Sequence, residues 1–171
     1  MTDTDIVIRP VGRDEVMIWR GLRIEAMRAY PSAFSASPDD WERLPMEEVT
    51  KRIPAPGGDD VLFGVYLDGE LMGCAGFMRE KGAKESHKGY LWGVYLRATL
   101  QGRGLGARLT QTVIGWARPR VDLLRCSVSS DNLGAKALYL RLGFVLYGTE
   151  PRAIRIDGRD YDEDHLVMAF R

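Results

Sequence analysis

The sequence predicts a single domain of the mixed α/β class. Its length of 171 residues is typical of one domain, and a chain of that size buries a sufficient core without metal or disulfide support. Apolar, β-rich runs alternate with segments of helical periodicity in the order β-α-α-β-β-β-α-β-α-β-β. No repeat, low-complexity tract or linker separates them, so we expect one domain over residues 1–171.

The composition excludes several classes of protein. Hydrophobic residues make up 45% and charged residues 28%, which is unlike a disordered, collagen-like or disulfide-scaffold chain. The 24 basic and 24 acidic residues cancel, so no net positive field would attract nucleic acid or an anionic membrane. The first residues lack the pattern of a signal peptide, and no apolar run reaches 18 residues. We therefore expect a cytoplasmic protein without membrane or nucleic-acid partners.

The two cysteines point to the same compartment. Cys74 and Cys126 lie in apolar stretches, and neither has a partner at metal-ligand spacing. We expect both to be buried, free thiols in a reducing environment, and we predict no metal site.

The first third of the chain predicts one strand and two helices. A short strand is expected at 6–8, followed by an amphipathic helix over 14–30, where apolar residues recur at three- and four-residue steps. Pro31 ends that helix. Ser37 precedes Pro38 as an N-cap, which predicts a second short helix through about Ile53.

The middle of the chain changes to a strand pattern. Runs 61–67 and 70–78 are joined by Asp68-Gly69, which favours a tight β-hairpin. A polar loop leads to a third strand at 89–96, in which Trp92-Gly93 is a candidate β-bulge. The rest of the chain predicts a helix that ends before Arg118-Pro119, a strand at 121–129, a helix at 132–142 closed by Gly143, and strands at 144–156 and 160–170 around an Asp157-Gly158 turn.

The most informative stretch is the glycine-rich turn 101–106, which lies between a strand and a helix. Glycines let the backbone approach a phosphate, and the helix that begins there offers free N–H groups and a positive dipole end. Arg103 and Arg108 are placed to add direct contacts. The alternative is a tight strand-to-helix connection without a ligand.

Two familiar phosphate-binding patterns fit this turn poorly. A P-loop requires Gly-Lys-Ser/Thr, whereas Gly106 is followed by Ala107-Arg108. Residues 102–107 match the dinucleotide pattern G-x-G-x-x-A, but five residues separate them from the preceding strand. No acidic residue closes the next strand at the required interval, and too little chain remains for a doubly wound sheet.

A third pattern fits better. Gln101, Gly104 and Gly106 match the Gln/Arg-x-x-Gly-x-Gly/Ala turn of the GCN5-related N-acetyltransferase (GNAT) family, and 94–109 resembles the whole strand–turn–helix signature of that family. Residues 132–144 resemble its second signature. The end of the chain, 161–170, resembles its closing strand. Departures from the pattern are Ala98 in place of proline, Leu100 in place of an aromatic residue, and Gln101 in place of the commoner arginine.

The resemblance implies a fold and an activity. The fold would be a single-domain, mixed, mostly antiparallel β-sheet flanked by helices on both faces. The activity would be direct transfer of an acetyl group from acetyl-CoA to a primary amine of a small molecule, amino acid or polyamine. A protein N-terminus or lysine is the alternative acceptor, and a non-catalytic acyl-CoA sensor is the alternative function. The family also suggests a homodimer.

The resemblance also assigns residues to the acetyl-CoA site. The diphosphate would rest on the backbone amides of the glycine-rich turn, and the pantetheine arm would pair with the backbone of Val94 and Leu96. The amide of Val94 would donate to the thioester oxygen. Asn132 would contact the arm while also capping its helix. The predicted cofactor-binding residues are Val94, Tyr95, Leu96, Gln101, Gly102, Arg103, Gly104, Leu105, Gly106, Ala107, Asn132 and Tyr139.

Tyr139 occupies the family's position for the catalytic acid. Its hydroxyl would donate a hydrogen bond to the departing thiolate and finally protonate it. The acceptor would bind between the two N-terminal helices and the final hairpin, where Phe34 and Trp41 are candidate walls. The candidate general bases are Glu80, Glu85, His87 and Asp131, while His165 is expected to be structural.

Overall fold

The computed structural model describes residues 5–171, and residues 1–4 of the predicted domain lie outside them. The strands are β1 (Ile6–Pro10), β2 (Val61–Leu67), β3 (Glu70–Arg79), β4 (Lys88–Leu96), β5 (Leu123–Ser129), β6 (Val145–Ile156) and β7 (Arg159–Ala169). The helices are α1 (Val16–Ala29), α2 (Pro38–Arg43), α3 (Met46–Thr50), α4 (Leu105–Ala117) and α5 (Leu133–Leu142), and short 3-10 turns lie at Arg13–Glu15, Pro31–Ala33 and Ala98–Leu100.

The strands form one seven-stranded sheet in the order β1-β2-β3-β4-β5-β7-β6. Every neighbouring pair is antiparallel except β4 and β5, which are parallel. This confirms the predicted mixed, mostly antiparallel sheet. The parallel pair is short, because only Lys88–Tyr90 pairs with Leu123–Arg125. Beyond Tyr90 the two strands diverge, and a cleft opens in the middle of the sheet.

Two hydrophobic cores cover the two faces of the sheet. On one face, α1–α3 pack on β2–β4 around Trp19 and Leu22. On the other face, α4 and α5 pack on the centre of the sheet, with Leu109 and Leu124 fully buried. The periodicity of the helices predicts this arrangement, because each has one apolar stripe to bury.

The predicted second helix is two helices in the structure. Ser37 caps α2 as expected, since its Oγ accepts a hydrogen bond of 3.1 Å from the amide of Asp40. Leu44 is extended because the residue before a proline is excluded from the helical region. Pro45 then begins a new turn, and α3 follows from Met46.

The predicted turns and bulge are confirmed. Asp68-Gly69 and Asp157-Gly158 both have positive φ at both residues, as a two-residue hairpin requires. In β4, Gly93 has a φ of +63°, and the register shifts so that Gly93 and Val94 together lie opposite Ala75. The bulge lies in the part of β4 beyond Tyr90, which no longer pairs with β5.

Two further expectations are tested by the fold. Cys74 and Cys126 are free and buried, which confirms their prediction, and burial raises the pKa of the Cys126 thiol to about 12. Within residues 5–171, no helix combines the length and the apolar character needed to cross a bilayer.

Candidate active site

The candidate active site is a cavity of about 330 Å³ in the cleft between β4 and β5. Its walls are the diverging ends of the two strands, 91–94 and 127–129, together with the first turns of α5. The loop segment 33–36, which follows α1, closes the cavity from the other side. The cavity therefore exists because β4 and β5 stop pairing at Tyr90.

The β4 bulge sets the backbone that faces this cavity. A Cβ on Gly93 would lie only 3.0 Å from Nη1 of Arg23, and the positive φ is unfavourable for any other residue. The positive φ therefore favours glycine here, and any other residue would also press against the Arg23 guanidinium. The bulge interrupts the ladder between β3 and β4, so Val94 has no regular partner on β3, and Val94 lines the cavity.

The glycine-rich turn lies at the end of β4 and leads into α4. Gly102 and Gly104 have φ values of +73° and +74°, so the turn depends on glycine at both positions. The turn is exposed, and the first amides of α4 precede any intrahelical acceptor. The side-chain Nε2 of Gln101 donates 2.8 Å to the carbonyl of Leu96. This side-chain amide therefore anchors the turn to β4 and does not point toward a ligand.

The predicted cofactor residues are brought together along one path. Val94, Tyr95 and Leu96 belong to the end of β4, and the glycine-rich turn follows after the 3-10 turn Ala98–Leu100. Asn132 caps α5, accepting 3.3 Å from the amide of Ala135, and also lines the cavity. The path thus runs from the cavity to the N-terminus of α4.

Tyr139 projects from α5 into the cavity wall. Its side chain is buried, and its ring makes an edge contact with Phe144 at 5.7 Å between centroids. Burial raises the pKa of the Tyr139 hydroxyl well above its usual value. No other residue of the described chain hydrogen-bonds to it, so the hydroxyl is protonated and available to a bound molecule.

None of the four predicted bases lines this cavity. Glu80 pairs with Arg125 at 2.5 Å and Glu85 pairs with Lys88 at 2.9 Å, both at the β3–β4 loop. Asp131 accepts 2.6 Å from the hydroxyl of Ser129. His87 lies in the same loop as Glu85, away from the cavity wall.

A different polar network borders the cavity. The Tyr90 hydroxyl donates 2.6 Å to Oγ of Ser127, which lies 2.9 Å from Nδ1 of His165. Nε2 of His165 lies 3.4 Å from a carboxylate oxygen of Glu150. Tyr90 and Ser127 line the cavity, as does Glu163, two residues before the histidine. We call these five residues the relay network.

Sequence reasoning missed the relay network because its members come from four strands. Ser127 pairs with His165 and Ser129 pairs with Glu163 across β5 and β7. The alternation of side chains along β7 could have indicated part of it. Glu163 and His165 share one face of the strand, opposite to the buried Leu166.

The structure separates the two candidate acceptor walls. Phe34 lines the cavity, whereas Trp41 is buried in the α1–α3 core and borders an adjoining cavity of about 390 Å³. A larger, open depression of about 720 Å³ lies between the 54–60 loop and the β3–β4 loop. It contains none of the predicted cofactor residues, so the cleft is the better site.

Comparison with known proteins agrees with this geometry. A model of the acetyltransferase (GNAT) family matches residues 20–144. The N-alpha-acetyltransferase RimI of Mycobacterium tuberculosis is 34% identical over 122 residues, which cover 71% of this chain and 72% of the relative. An L-methionine sulfoximine/L-methionine sulfone acetyltransferase of Pseudomonas aeruginosa is 26% identical over 127 residues, covering 71% of this chain and 74% of the relative.

Solved structures share the fold across nearly the whole chain. A GNAT-family acetyltransferase from Streptococcus pneumoniae aligns with a TM-score of 0.84 at 20% identity, covering 96% of this chain and 99% of the other. An acetyltransferase from Salmonella typhimurium, solved with its cofactor acetyl-CoA, aligns with a TM-score of 0.77 at 19% identity, covering 98% and 95%.

Proposed function

The chain belongs to the acetyltransferase (GNAT) family, and from this premise we propose that it transfers an acetyl group from acetyl-CoA to a primary amine by direct attack. The observation that carries the proposal is the cleft between β4 and β5, where Val94 and Tyr139 line one cavity. The chain is thus an N-acetyltransferase whose own residues supply a donor site and a cavity for the reaction, which we call the reaction chamber.

Acetyl-CoA is the acetyl donor, and the turn and β4 are suited to hold it. The diphosphate would accept hydrogen bonds from amides between Gln101 and Ala107, next to the positive end of α4. The pantetheine arm would extend the sheet along the free end of β4, where β5 no longer pairs. The amide groups of the arm would then hydrogen-bond to backbone groups of β4 that have no partner on β5.

Two groups would stabilise the reacting carbonyl and the leaving group. The Val94 amide would donate to the thioester oxygen as negative charge develops there. The Tyr139 hydroxyl would donate to the departing sulfur. A phenol with a raised pKa is a weak acid, but the same burial disfavours the thiolate and raises the pKa of the thiol, so the proton moves to sulfur as the bond breaks.

The relay network would remove the proton from the amine. An amine attacks only in its neutral form, so a proton must leave near pH 7. Tyr90 and Ser127 lead from the cavity to His165, whose other nitrogen faces Glu150. His165, which the sequence analysis treats as structural, is therefore the proposed proton acceptor, in place of the four candidates in the loops.

The acceptor is a primary amine on a small molecule in this proposal. The named relatives include one that acts on L-methionine sulfoximine and L-methionine sulfone. The name of RimI, an N-alpha-acetyltransferase, favours a protein or peptide α-amine as the second candidate. Two free, buried cysteines support the cytoplasm as the place of reaction. The single domain over residues 1–171 and the homodimer stay predictions.

The direct test measures binding and turnover of acetyl-CoA. Acetyl-CoA should raise the melting temperature, because a ligand that binds only the native state stabilises it, whereas NADH should not. When each amine of a panel is added in turn, release of free CoA thiol should show that the protein transfers the acetyl group and which amine accepts it. Stabilisation by acetyl-CoA with no thiol release from any amine or peptide would favour a non-catalytic sensor instead.

A further inference from the structure

Arg23 is a buried cation for which the described residues supply no anionic partner. It projects from α1, and only 7% of the residue is exposed. Nε and Nη1 are shielded from solvent and have no hydrogen-bond partner in the described chain, and no carboxylate of residues 5–171 forms an ion pair with this guanidinium. A buried charge is costly unless it is paired and hydrogen-bonded. The site is therefore incomplete without an acceptor of hydrogen bonds.

Aromatic rings hold the guanidinium in place. Its Cζ lies 4.9 Å from the ring centroid of Phe34, 5.1 Å from that of Trp41 and 5.8 Å from that of Trp92. Cation–π contacts offset part of the cost of burial. They act through the ring faces, however, and leave the in-plane N–H groups of the guanidinium without acceptors. The rings orient Arg23 but do not satisfy it.

The unsatisfied group lies next to the reaction chamber. Arg23 lines the same cavity as Tyr139, and its Nη1 lies 3.0 Å from the position that a Cβ on Gly93 would occupy. The next residue is Val94, whose amide we assign to the thioester oxygen, and adjacent Cα atoms are about 3.8 Å apart. An anion bound to Arg23 would thus lie beside Gly93, the residue adjacent to the one whose amide faces the acetyl carbonyl in this proposal.

The charges of the cavity suit a zwitterion. Among the described residues that line it, Arg23 carries a positive charge and Glu163 a negative one, and the others are neutral. A carboxylate would pair with Arg23 while the amino group approaches Glu163 and the start of the relay network. A polyamine offers nothing to Arg23, and a polyanion would be repelled by Glu163.

We propose that Arg23 binds the carboxylate of the acceptor, and that the acceptor is an α-amino acid or a close analogue in which one carbon separates amine and carboxylate. This inference rests on the proposed function, since it names the substrate class of the same site. Arg23 is then a specificity-determining residue, because a guanidinium forms strong, directional hydrogen bonds with a carboxylate.

The test compares acids with matched amides in four proteins. The twenty standard L-amino acids, their carboxamides, tyramine and spermidine are assayed for CoA release with wild type, Arg23→Met, Arg23→Lys and Arg28→Met. Arg28 is the matched control, since it lies on the same helix but pairs with Glu42 at the surface. Arg23→Met should fold, because an apolar side chain of similar length replaces an unpaired buried charge.

We expect amino acids to be the best acceptors and amidation to raise the acceptor KM at least about 10-fold. Arg23→Met should lower kcat/KM for the acid roughly 10- to 100-fold, with little change for its amide or for the KM of acetyl-CoA. Arg23→Lys should recover part of the loss, and Arg28→Met should resemble wild type. The proposal is overturned if spermidine, tyramine or the amides are preferred, if a wild type that acetylates other amines acetylates no amino acid, or if Arg23→Met affects acid and amide equally.

A second readout separates this inference from the proposed function. The rings of Trp41 and Trp92 contact the guanidinium, so tryptophan fluorescence should report amino acid binding in the absence of acetyl-CoA. Saturable quenching by the amino acids that is lost in Arg23→Met supports the carboxylate site even if acetyl-CoA fails to bind. Absence of such quenching in a wild type that does acetylate other amines overturns the inference and leaves the acetyltransferase intact.

Discussion

At the residue scale, Tyr139 combines burial with a hydroxyl that no other described residue engages. Tyr139→Phe should cut kcat roughly 10- to 10⁴-fold while the KM for acetyl-CoA changes little, because the hydroxyl acts on the leaving sulfur and the ring still packs. The measurement is steady-state kinetics together with the melting temperature of the same preparation.

Tyr66→Phe is the matched control for that substitution. Tyr66 is also buried, but its hydroxyl donates 3.0 Å to Glu15, and neither residue lines the cleft. Its loss should lower the melting temperature and leave kcat unchanged. Full turnover in Tyr139→Phe would remove the tyrosine from the mechanism and leave it as a core residue.

The relay network predicts a pH-dependent defect. Ser127→Ala breaks the link between Tyr90 and His165, so activity should fall more at pH 7 than at pH 9, where more of the amine is already neutral. We expect a loss of roughly 10- to 100-fold at pH 7. Glu85→Gln, which alters only a surface pair with Lys88, should behave as wild type at both pH values. An equal loss at both pH values in Ser127→Ala would assign that residue to acceptor binding.

At the scale of elements, the turn before α4 makes a prediction about the donor. Gly104→Asp places a side chain and a negative charge where the diphosphate is expected, so acetyl-CoA should no longer raise the melting temperature. Gly69→Asp is a strain-matched control, since both glycines have positive φ and open space around the Cβ position. Calorimetry with acetyl-CoA distinguishes them. Equal binding by both variants would place the donor elsewhere.

At the scale of the whole molecule, Asp164 connects the elements around the cleft. This buried carboxylate on β7 accepts 2.7 Å from Lys136 of α5, 2.7 Å from Thr149 of β6 and 2.9 Å from Ser130, which follows β5. The ion pair with Lys136, with help from the two hydroxyls, lowers the pKa of Asp164 to about 2. The network holds α5, and therefore Tyr139, against the sheet.

The lowered pKa fixes the sign of a stability prediction. Because the folded pKa lies below the unfolded value of about 3.9, Asp164 contributes stability above pH 4 that is lost as the pH falls toward 2. Asp164→Asn should therefore destabilise the protein at pH 7 by about 1–3 kcal/mol, the cost of unsatisfied buried donors. Urea unfolding at several pH values should show this difference shrinking between pH 4 and pH 2. A difference that does not depend on pH would mean that the charge of Asp164 is unimportant.

The sequence by itself determined the local structure and the family. Hairpin turns at Asp68-Gly69 and Asp157-Gly158, the cap at Ser37 and the glycines of the turn before α4 each follow from short-range sterics and hydrogen bonding. These signals lie within a few residues of one another. The GNAT signatures are local for the same reason, since each is a short stretch of neighbouring residues.

Only the tertiary structure decided which side chains meet at the cleft and in the relay network. Ser127, His165 and Glu150 come from three strands, and their contact depends on the register of the sheet. Arg23 is one of many arginines in the sequence, and nothing local distinguishes it from Arg20 or Arg28. The role proposed for Arg23 follows from its burial among rings contributed by distant segments, because the cost of a buried charge exists only once the chain has folded around it.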